Sequence, residues 1–270
     1  MAEHNDYILG TEWKELNRLG IQHQVWASEA RKAWELAEFG TGQTILDLGS
    51  GPGFCSRDLG YMVGETGKVI AVDKSSDFLK FLDEVTKLHK LKIETRCTDF
   101  ETMDLGDLSL DGIYSRWALA WIANPGEIVE KLVRNLVSGG AFVAHEYYLW
   151  DTFMMEPHYP ELQKGINSIL KSLKEQEGDI NIGRKLPTIF YENGLEVISI
   201  RPMAKIITPD QLAWQWPKTF LGTYMPKLEE LGYMTKAEIK LALDQFYELE
   251  YQEDATIQCP QMVEVIGIKP

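Results

Sequence analysis

The residues best suited to chemistry lie in TILDLGSGPGF (44–54), where an apolar strand runs into a turn carrying Gly49, Gly51 and Gly53. Glycines at a strand end let the backbone approach a ligand closely. A helix starting just beyond offers free N–H groups and a partial positive end. Pro52 adds rigidity at a place that suits a residue without an N–H. Such a turn accepts a phosphate or a carboxylate. The dinucleotide fingerprint G-x-G-x-x-G uses its third glycine for close helix packing, but here Phe54 stands in that place. A pyrophosphate is therefore the poorer fit, and an amino-acid-like tail with a carboxylate the better one.

Further acids lie where the same ligand would need them. Asp73 closes KVIAVD, 20 residues after Gly53, where a carboxylate accepts both hydroxyls of a ribose. Nicotinamide dinucleotides and S-adenosylmethionine share that geometry. Asp99, in TRCTDFE, ends the next strand and can accept from an exocyclic adenine amine while Phe100 covers the ring. A helix cap is the alternative role for Asp99. Ser115, Arg116 and Trp117 follow a fourth strand and face the same crevice. His145 and Glu146 end a fifth, in GAFVAHEYYLW. There His145 could serve as a general base near neutral pH, with a hydrogen-bonded structural role as the alternative.

Positioning these residues takes an alternating chain. Residues 11–39 carry Leu16, Leu19, Trp26, Ala30, Ala33, Trp34 and Ala37 at helical spacing, ended by Gly40 and Gly42. Short apolar runs at TILDLG, KVIAVD, LDGIYS and GAFVAHEYY read as buried parallel strands. Helical stretches at 75–89 and 126–137 lie between them. The pattern predicts an α/β fold, a Rossmann-like doubly wound sheet with right-handed crossovers. Beyond 150 the rhythm changes to an amphipathic 160–176, a short helix LPTIFYENG, a strand LEVISI, a helical insertion over 209–251 and a last strand QMVEVIGI. One domain spanning 1–270 is expected. Its core would be 40–150 with 183–203 and 261–270, its helical cover 1–39, and its cap insertions 151–182 and 204–258.

Composition narrows the function classes. A formal charge of -14 over 270 residues opposes a partner held by phosphate contacts, so no nucleic-acid partner is expected. Three scattered cysteines give neither a zinc spacing nor a disulfide framework, and no metal is expected. With no apolar stretch near the ~20 residues of a membrane span and no basic-apolar leader at the start, the expectation is a soluble, cytoplasmic chain, monomer or homodimer, without membrane insertion.

Together DLGSGPG, VD, TDF and DGIYSRWALAWI resemble class I S-adenosylmethionine-dependent methyltransferases, most of all the branch with the ubiquinone and menaquinone biosynthesis enzymes and many small-molecule methyltransferases. The likeness covers residues 1–150 and extends to GRKLPTIFYENGLEVISI. It implies a seven-stranded sheet whose last strand is antiparallel, with S-adenosyl-L-methionine as cofactor and S-adenosyl-L-homocysteine as its product. It also implies that Asp47, Gly49, Ser50, Gly51 and Gly53 lie along the methionine part and that Asp73 holds the ribose. Lys74 would flank the ribose or the adenine, Thr98, Asp99 and Phe100 would border the adenine, and Ser115 and Arg116 would bound the methionine end. Tyr7, Arg18 and Gln22, in YILGTEWKELNRLGIQ, match residues that fold over the cofactor in some members. Arg116 and Trp117 are bulky where the family usually has small residues.

Aromatic and Met residues cluster at 147–159 and 214–234, and several must form the cap's own core. Those above the cofactor suit an apolar or aromatic small-molecule acceptor, with Trp117, Glu146, Tyr148, Trp214, Trp216 and Phe220 as pocket candidates. The rival readings are an oxidoreductase, disfavoured by Phe54, and a nucleic-acid methyltransferase, disfavoured by charge and by SRWALAW. An arsenite-type enzyme is disfavoured by the cysteine count. A protein that binds S-adenosylmethionine without methylating stays open.

Overall fold

The structure is a computed structural model describing residues 13–270. Its ten strands, among the described residues, are β1 (Thr44–Leu48), β2 (Lys68–Asp73), β3 (Ile93–Cys97), β4 (Leu110–Arg116), β5 (Leu136–Leu149), β6 (Met154–Glu156), β7 (Glu196–Met203), β8 (Ile206–Ile207), β9 (Thr256–Gln258) and β10 (Gln261–Ile268). The helices are α1 (Trp13–Leu36), α2 (Phe54–Val63), α3 (Ser76–His89), α4 (Pro125–Asn135), α5 (Pro160–Lys174), α6 (Leu186–Glu192), α7 (Gln215–Tyr224), α8 (Lys227–Glu230) and α9 (Lys236–Glu250).

Seven strands form one sheet in the order β3-β2-β1-β4-β5-β10-β7. Strands β1 to β5 pair in parallel, and β10 runs antiparallel to both β5 and β7. This is the expected doubly wound, Rossmann-like sheet. The order reverses between β1 and β4, so the crevice outside their carboxyl ends is the natural ligand site. The central strands are buried on both faces, which is why they read as continuous apolar runs.

Local chemistry sets the element ends. Ser75 caps α3 by accepting the Phe78 N–H at 3.3 Å. Thr235 and Glu238 form a reciprocal capping box on α9. Helix α1 stops at Leu36, ahead of Gly40, and Pro52 sits before the Gly53 cap of α2 rather than in its first turn.

The region beyond residue 150 holds a structure that sequence periodicity does not announce. Strands β6, β9 and β8 form a second, three-stranded sheet, and the 209–251 insertion breaks into α7, α8 and α9. These elements share a core of their own, built around Trp150, Phe153, Trp214, Trp216, Tyr224, Met225 and Phe246. Helix α1 joins the two regions. Trp26 belongs to the cap core, whereas Ala30, Ala33 and Trp34 pack on the seven-stranded sheet.

Candidate functional site

The turn after β1 is held from below by its neighbour strand. Gly49 and Ser50 donate N–H bonds to the Val72 carbonyl at 2.9 and 3.0 Å. Gly51 N–H donates to Asp73 Oδ2 at 2.8 Å, and Ser75 N–H donates to Asp73 Oδ1 at 2.8 Å. Asp73 therefore ties the end of β2 to the glycine turn. Burial raises its carboxyl above the usual range, opposed by those N–H groups and by Lys74.

Two glycines are needed for space. A Cβ on Gly49 would stand 2.4 Å from the Ala118 Cβ, so the turn and the loop after β4 touch backbone to side chain. A Cβ on Gly53 would meet Leu82 of α3 at 2.3 Å, and its φ of 78° is left-handed. The close helix packing that a dinucleotide site obtains from its third glycine is thus supplied here one residue earlier.

Around the turn, Asp47 is buried and accepts the Ser56 hydroxyl at 2.5 Å. Burial pushes its carboxyl up to about 6, against the pull of Ser56 and the Arg116 charge. Asp99 is exposed and accepts the Glu101 N–H at 2.9 Å in a local turn, with no helix for it to cap. Thr98 donates its N–H to the Asp73 carbonyl at 3.1 Å, Lys74 is exposed, and Phe100 is half-buried near Gly49.

Beyond β4 the site changes character. The Ser115 Oγ and Arg116 Nη1 are shut from solvent and have no hydrogen-bond partner among the described residues. Arg116 lies over the Trp117 ring at 5.1 Å, and its Nη2 stands 3.4 Å from His23 Nδ1. Trp117 has φ 56°, a left-handed conformation that costs a bulky residue energy and that turns its indole sharply out of the strand. The ring then stacks between Tyr147, at 5.9 Å, and Trp216, at 6.0 Å, with the edge of Trp26 against it at 6.2 Å. Beside the stack, Tyr147, Phe153, Trp216, Pro217, Phe220 and Pro260 line an apolar cavity with room for no more than about one water molecule.

Several expected site residues stand elsewhere. His145 is fully buried. Its Nε2–H donates to Glu264 at 3.2 Å and its Nδ1 accepts from the Tyr114 hydroxyl at 3.3 Å, so neither nitrogen is left for a substrate proton. Burial also lowers its pKa against the pull of Glu264. Glu264 is in turn held by Arg201, which reaches Glu29 of α1 at 2.8 Å. His145 is thus the centre of a structural network, and the base role is corrected.

Glu146 is likewise internal. Its Oε1 accepts the Ala118 and Leu119 N–H groups at 3.0 and 2.8 Å, anchoring the loop that meets Gly49. Burial pushes its carboxyl up to about 8, against those same N–H groups. Tyr148 points outward and is exposed, and it is Tyr147 that faces the stack. Trp214 is buried in the cap core against Phe246, away from the cavity. Of the remaining pocket candidates, Trp117 stacks on Trp216, and Trp216 and Phe220 line the same cavity.

On α1, Arg18 is buried in a two-bond pair with Glu15 at 2.7 and 2.6 Å. Gln22 Oε1 accepts both from Arg18 at 2.9 Å and from the Trp216 indole N–H at 3.2 Å. Tyr7 lies outside the described residues. Sequence reasoning missed His23 and Asp58, and it placed Tyr147 in the 147–159 cluster but singled out Tyr148 instead. His23 carried a signal, since it falls on the same face as Leu19, Trp26 and Ala30, a polar residue inside an apolar stripe.

Comparisons with known proteins bear on this geometry. The profile of the methyltransferase domain family matches residues 40–194, more than half of the chain. A demethylmenaquinone methyltransferase of Desulfitobacterium hafniense is 26% identical over 179 residues, covering 65% of this chain and 68% of that protein. An uncharacterised 37.1 kDa transposon protein of Streptomyces fradiae is 27% identical over 174 residues, 64% of this chain; the chain spans about half of that relative, 49% of its length. Coclaurine N-methyltransferase, solved with N-methylheliamine and S-adenosylhomocysteine, shares the fold with a TM-score of 0.57 at 14% identity, covering 90% of this chain and 70% of that one.

Proposed function

The chain belongs to the methyltransferase domain family, and from that premise we propose that it transfers the methyl group of S-adenosylmethionine to a small, apolar or aromatic acceptor. The observation that carries this reading is the pair of sealed, unpartnered polar atoms at the end of β4, Ser115 Oγ and Arg116 Nη1. They adjoin a glycine turn whose backbone is braced by Asp73. Burying polar groups without partners costs about 1–3 kcal/mol each. A ligand with a carboxylate and a hydrogen-bonding tail removes that cost, so the residues fit the amino-acid end of this cofactor.

When bound, S-adenosylmethionine supplies a methyl already activated by its sulfonium. The chain's own residues bind, orient and keep out water. In this reading Gly49, Ser50, Gly51 and Gly53 approach the methionine part through their backbone, and Asp47 faces its ammonium group. Asp73 has lone pairs left on both oxygens for ribose hydroxyls, while Lys74, Thr98, Asp99 and Phe100 border the adenine. Arg116 takes the carboxylate, with Arg18 and Gln22 on α1 above it. Trp117, Tyr147, Trp216 and Phe220 form the acceptor wall. With His145 engaged inside, rate enhancement rests on alignment, which can supply ~7–11 kcal/mol when the bound geometry is near attack.

This acidic chain has three free thiols and, among the described residues, no helix long and apolar enough to cross a membrane. Both features are compatible with a cytoplasmic small-molecule enzyme. The test is incubation with methyl-labelled cofactor and a metabolite extract. Label is expected in a small organic product and absent from nucleic acid. Tight cofactor binding with no labelled product would replace transfer by the alternative reading, a binding module or a non-methylating catalyst. In calorimetry Asp73→Ala should abolish S-adenosylhomocysteine binding, and unchanged binding would remove Asp73 from the site.

A further inference from the structure

We infer that His23 is a positioning residue that sets the Arg116 guanidinium for a ligand carboxylate, through a chain Asp58–His23–Arg116. The inference rests on the proposed cofactor reading and adds to it a residue outside the family motifs. Guanidinium groups only donate, so at 3.4 Å from Arg116 Nη2 the His23 Nδ1 must accept through its lone pair. The imidazole proton then sits on Nε2, where Asp58 Oδ2 lies 3.3 Å away to receive it. Both neighbours specify the same tautomer. The Cys55 Sγ, 3.7 Å from Nδ1, is also a donor there, because burial keeps its thiol protonated, pushed up to about 12.

The imidazole itself is fixed. His23 is 4% exposed and stacks on Phe54, the first residue of α2, at 5.8 Å and 21°. Arg116 is gripped on a second side by the Trp117 ring. One nitrogen, Nη2, is spent on His23, and the other, Nη1, is sealed and unpartnered. Among the described residues no carboxylate lies within salt-bridge distance of this guanidinium, although the sequence holds 41 Asp and Glu. A half-buried cation held in place by a neutral acceptor, with a second donor left unpartnered, is arranged for an anion brought by a ligand. Were His23 to accept a proton on Nδ1, the bond to Arg116 would be lost and like charges would meet. Burial opposes that protonation, as does the charge of Arg116 and Arg57, with Asp58 favouring it.

The test uses the whole protein and two ligands that differ in the amino-acid tail, S-adenosylhomocysteine and 5′-methylthioadenosine, with affinities from calorimetry. His23→Phe keeps the ring and its stacking but removes the acceptor. It should weaken S-adenosylhomocysteine about tenfold, one charged hydrogen bond's worth, and leave methylthioadenosine unchanged. His23→Asn restores an acceptor at the Nδ1 position and should recover most of the loss. In an Arg116→Met background, His23→Phe should add nothing further.

Equal losses for both ligands, or additivity with Arg116→Met, would overturn the inference while leaving the cofactor reading intact. Wild-type protein that binds neither ligand would end both. A measurement on the unmodified chain guards against variants that fold poorly. Nitrogen-15 NMR should show His23 Nδ1 unprotonated and Nε2 protonated at neutral pH, and the opposite tautomer would refute the chain.

Discussion

The two sides of the proposed site are made by different means. On the β1–β2 side the surface is backbone, with N–H groups of a short turn, glycines that leave no side chain in the way and one carboxylate tying the turn to the next strand. On the cap side it is almost all side chain. The rings there arrive from α1, the loop after β4, the end of β5 and α7, residues separated by nearly 200 positions. Backbone walls are stiff and have little chemistry to vary. Side-chain walls can be resized one residue at a time. On the proposed reading, a constant cofactor beside a variable acceptor would use that division, with Arg116 and Trp117 between the two sides.

The division can be broken most sharply in the cap. Phe153→Ala removes a buried ring from the cap core and should cost about 3–5 kcal/mol of stability. Phe153 packs in the cap core against Trp150, so S-adenosylhomocysteine affinity at a temperature where the variant is folded should be unchanged. A matching loss of cofactor affinity would mean that the walls are not separable.

Gly49→Ala tests the other wall. Its Cβ must push on Ala118 in a loop that Glu146 holds, and the position has φ 70°. Overpacking at about 1–3 kcal/mol and a left-handed penalty of roughly 1–2 kcal/mol both apply. Cofactor binding should fall with stability here, the reverse of the Phe153 pattern. Gly51→Ala meets no atom within 4 Å, so it should carry the backbone penalty alone. Unfolding and titration on the three variants decide the matter.

Glu146 links the walls, and its protonation gives a smaller, pH-dependent signature. The folded carboxyl is pushed from 4.5 to about 8, so between those pH values the folded state holds a proton that the unfolded state has released. Stability from this group is therefore full below about pH 4.5 and is lost as pH rises to about 8. Glu146→Gln cannot ionise and keeps an acceptor for Ala118 and Leu119. From pH 5 to 8 the midpoint of thermal unfolding should fall less in the variant than in wild type. The difference between the two curves cancels the parallel contribution of Asp47, whose carboxyl sits at about 6. Parallel curves would show that Glu146 is ionised inside the fold.

What could be read from the sequence follows the same line between walls. The glycine turn, Asp73 and the strand pattern are legible because each is a contiguous segment whose local chemistry dictates its shape. Strand order and the antiparallel β10 follow from the resemblance rather than from local pattern. The second sheet is not legible: β6 and β9 are three residues each and β8 is two, too short for periodicity to register. The His145 error has a different cause. A strand-end histidine looks available until its partners Glu264 and Tyr114 are known, and Glu264 is 119 residues away. His23 was visible as a polar residue on an apolar face, but its partners lie on α2 and β4 and only the fold brings them in.

The smallest expected effect concerns register. In β5, alternate residues face opposite sides, so Tyr147 and Tyr148 cannot both reach the stack. Sequence alone favours neither, and the choice of Tyr148 as a pocket residue fails because β5 pairs with β10 so that Tyr147 opposes Met262 of the cap core. Tyr148→Ala, at an exposed site, should change stability by no more than about 0.5 kcal/mol. Tyr147→Ala removes the ring stacked on Trp117 at 5.9 Å and should cost several times more, and on the proposed reading it should also slow methyl transfer. A slip of β5 by one residue would exchange the two results, because it turns each side chain to the opposite face. Unfolding curves on this pair of neighbours therefore fix the register of β5 beside the aromatic stack without knowledge of any acceptor.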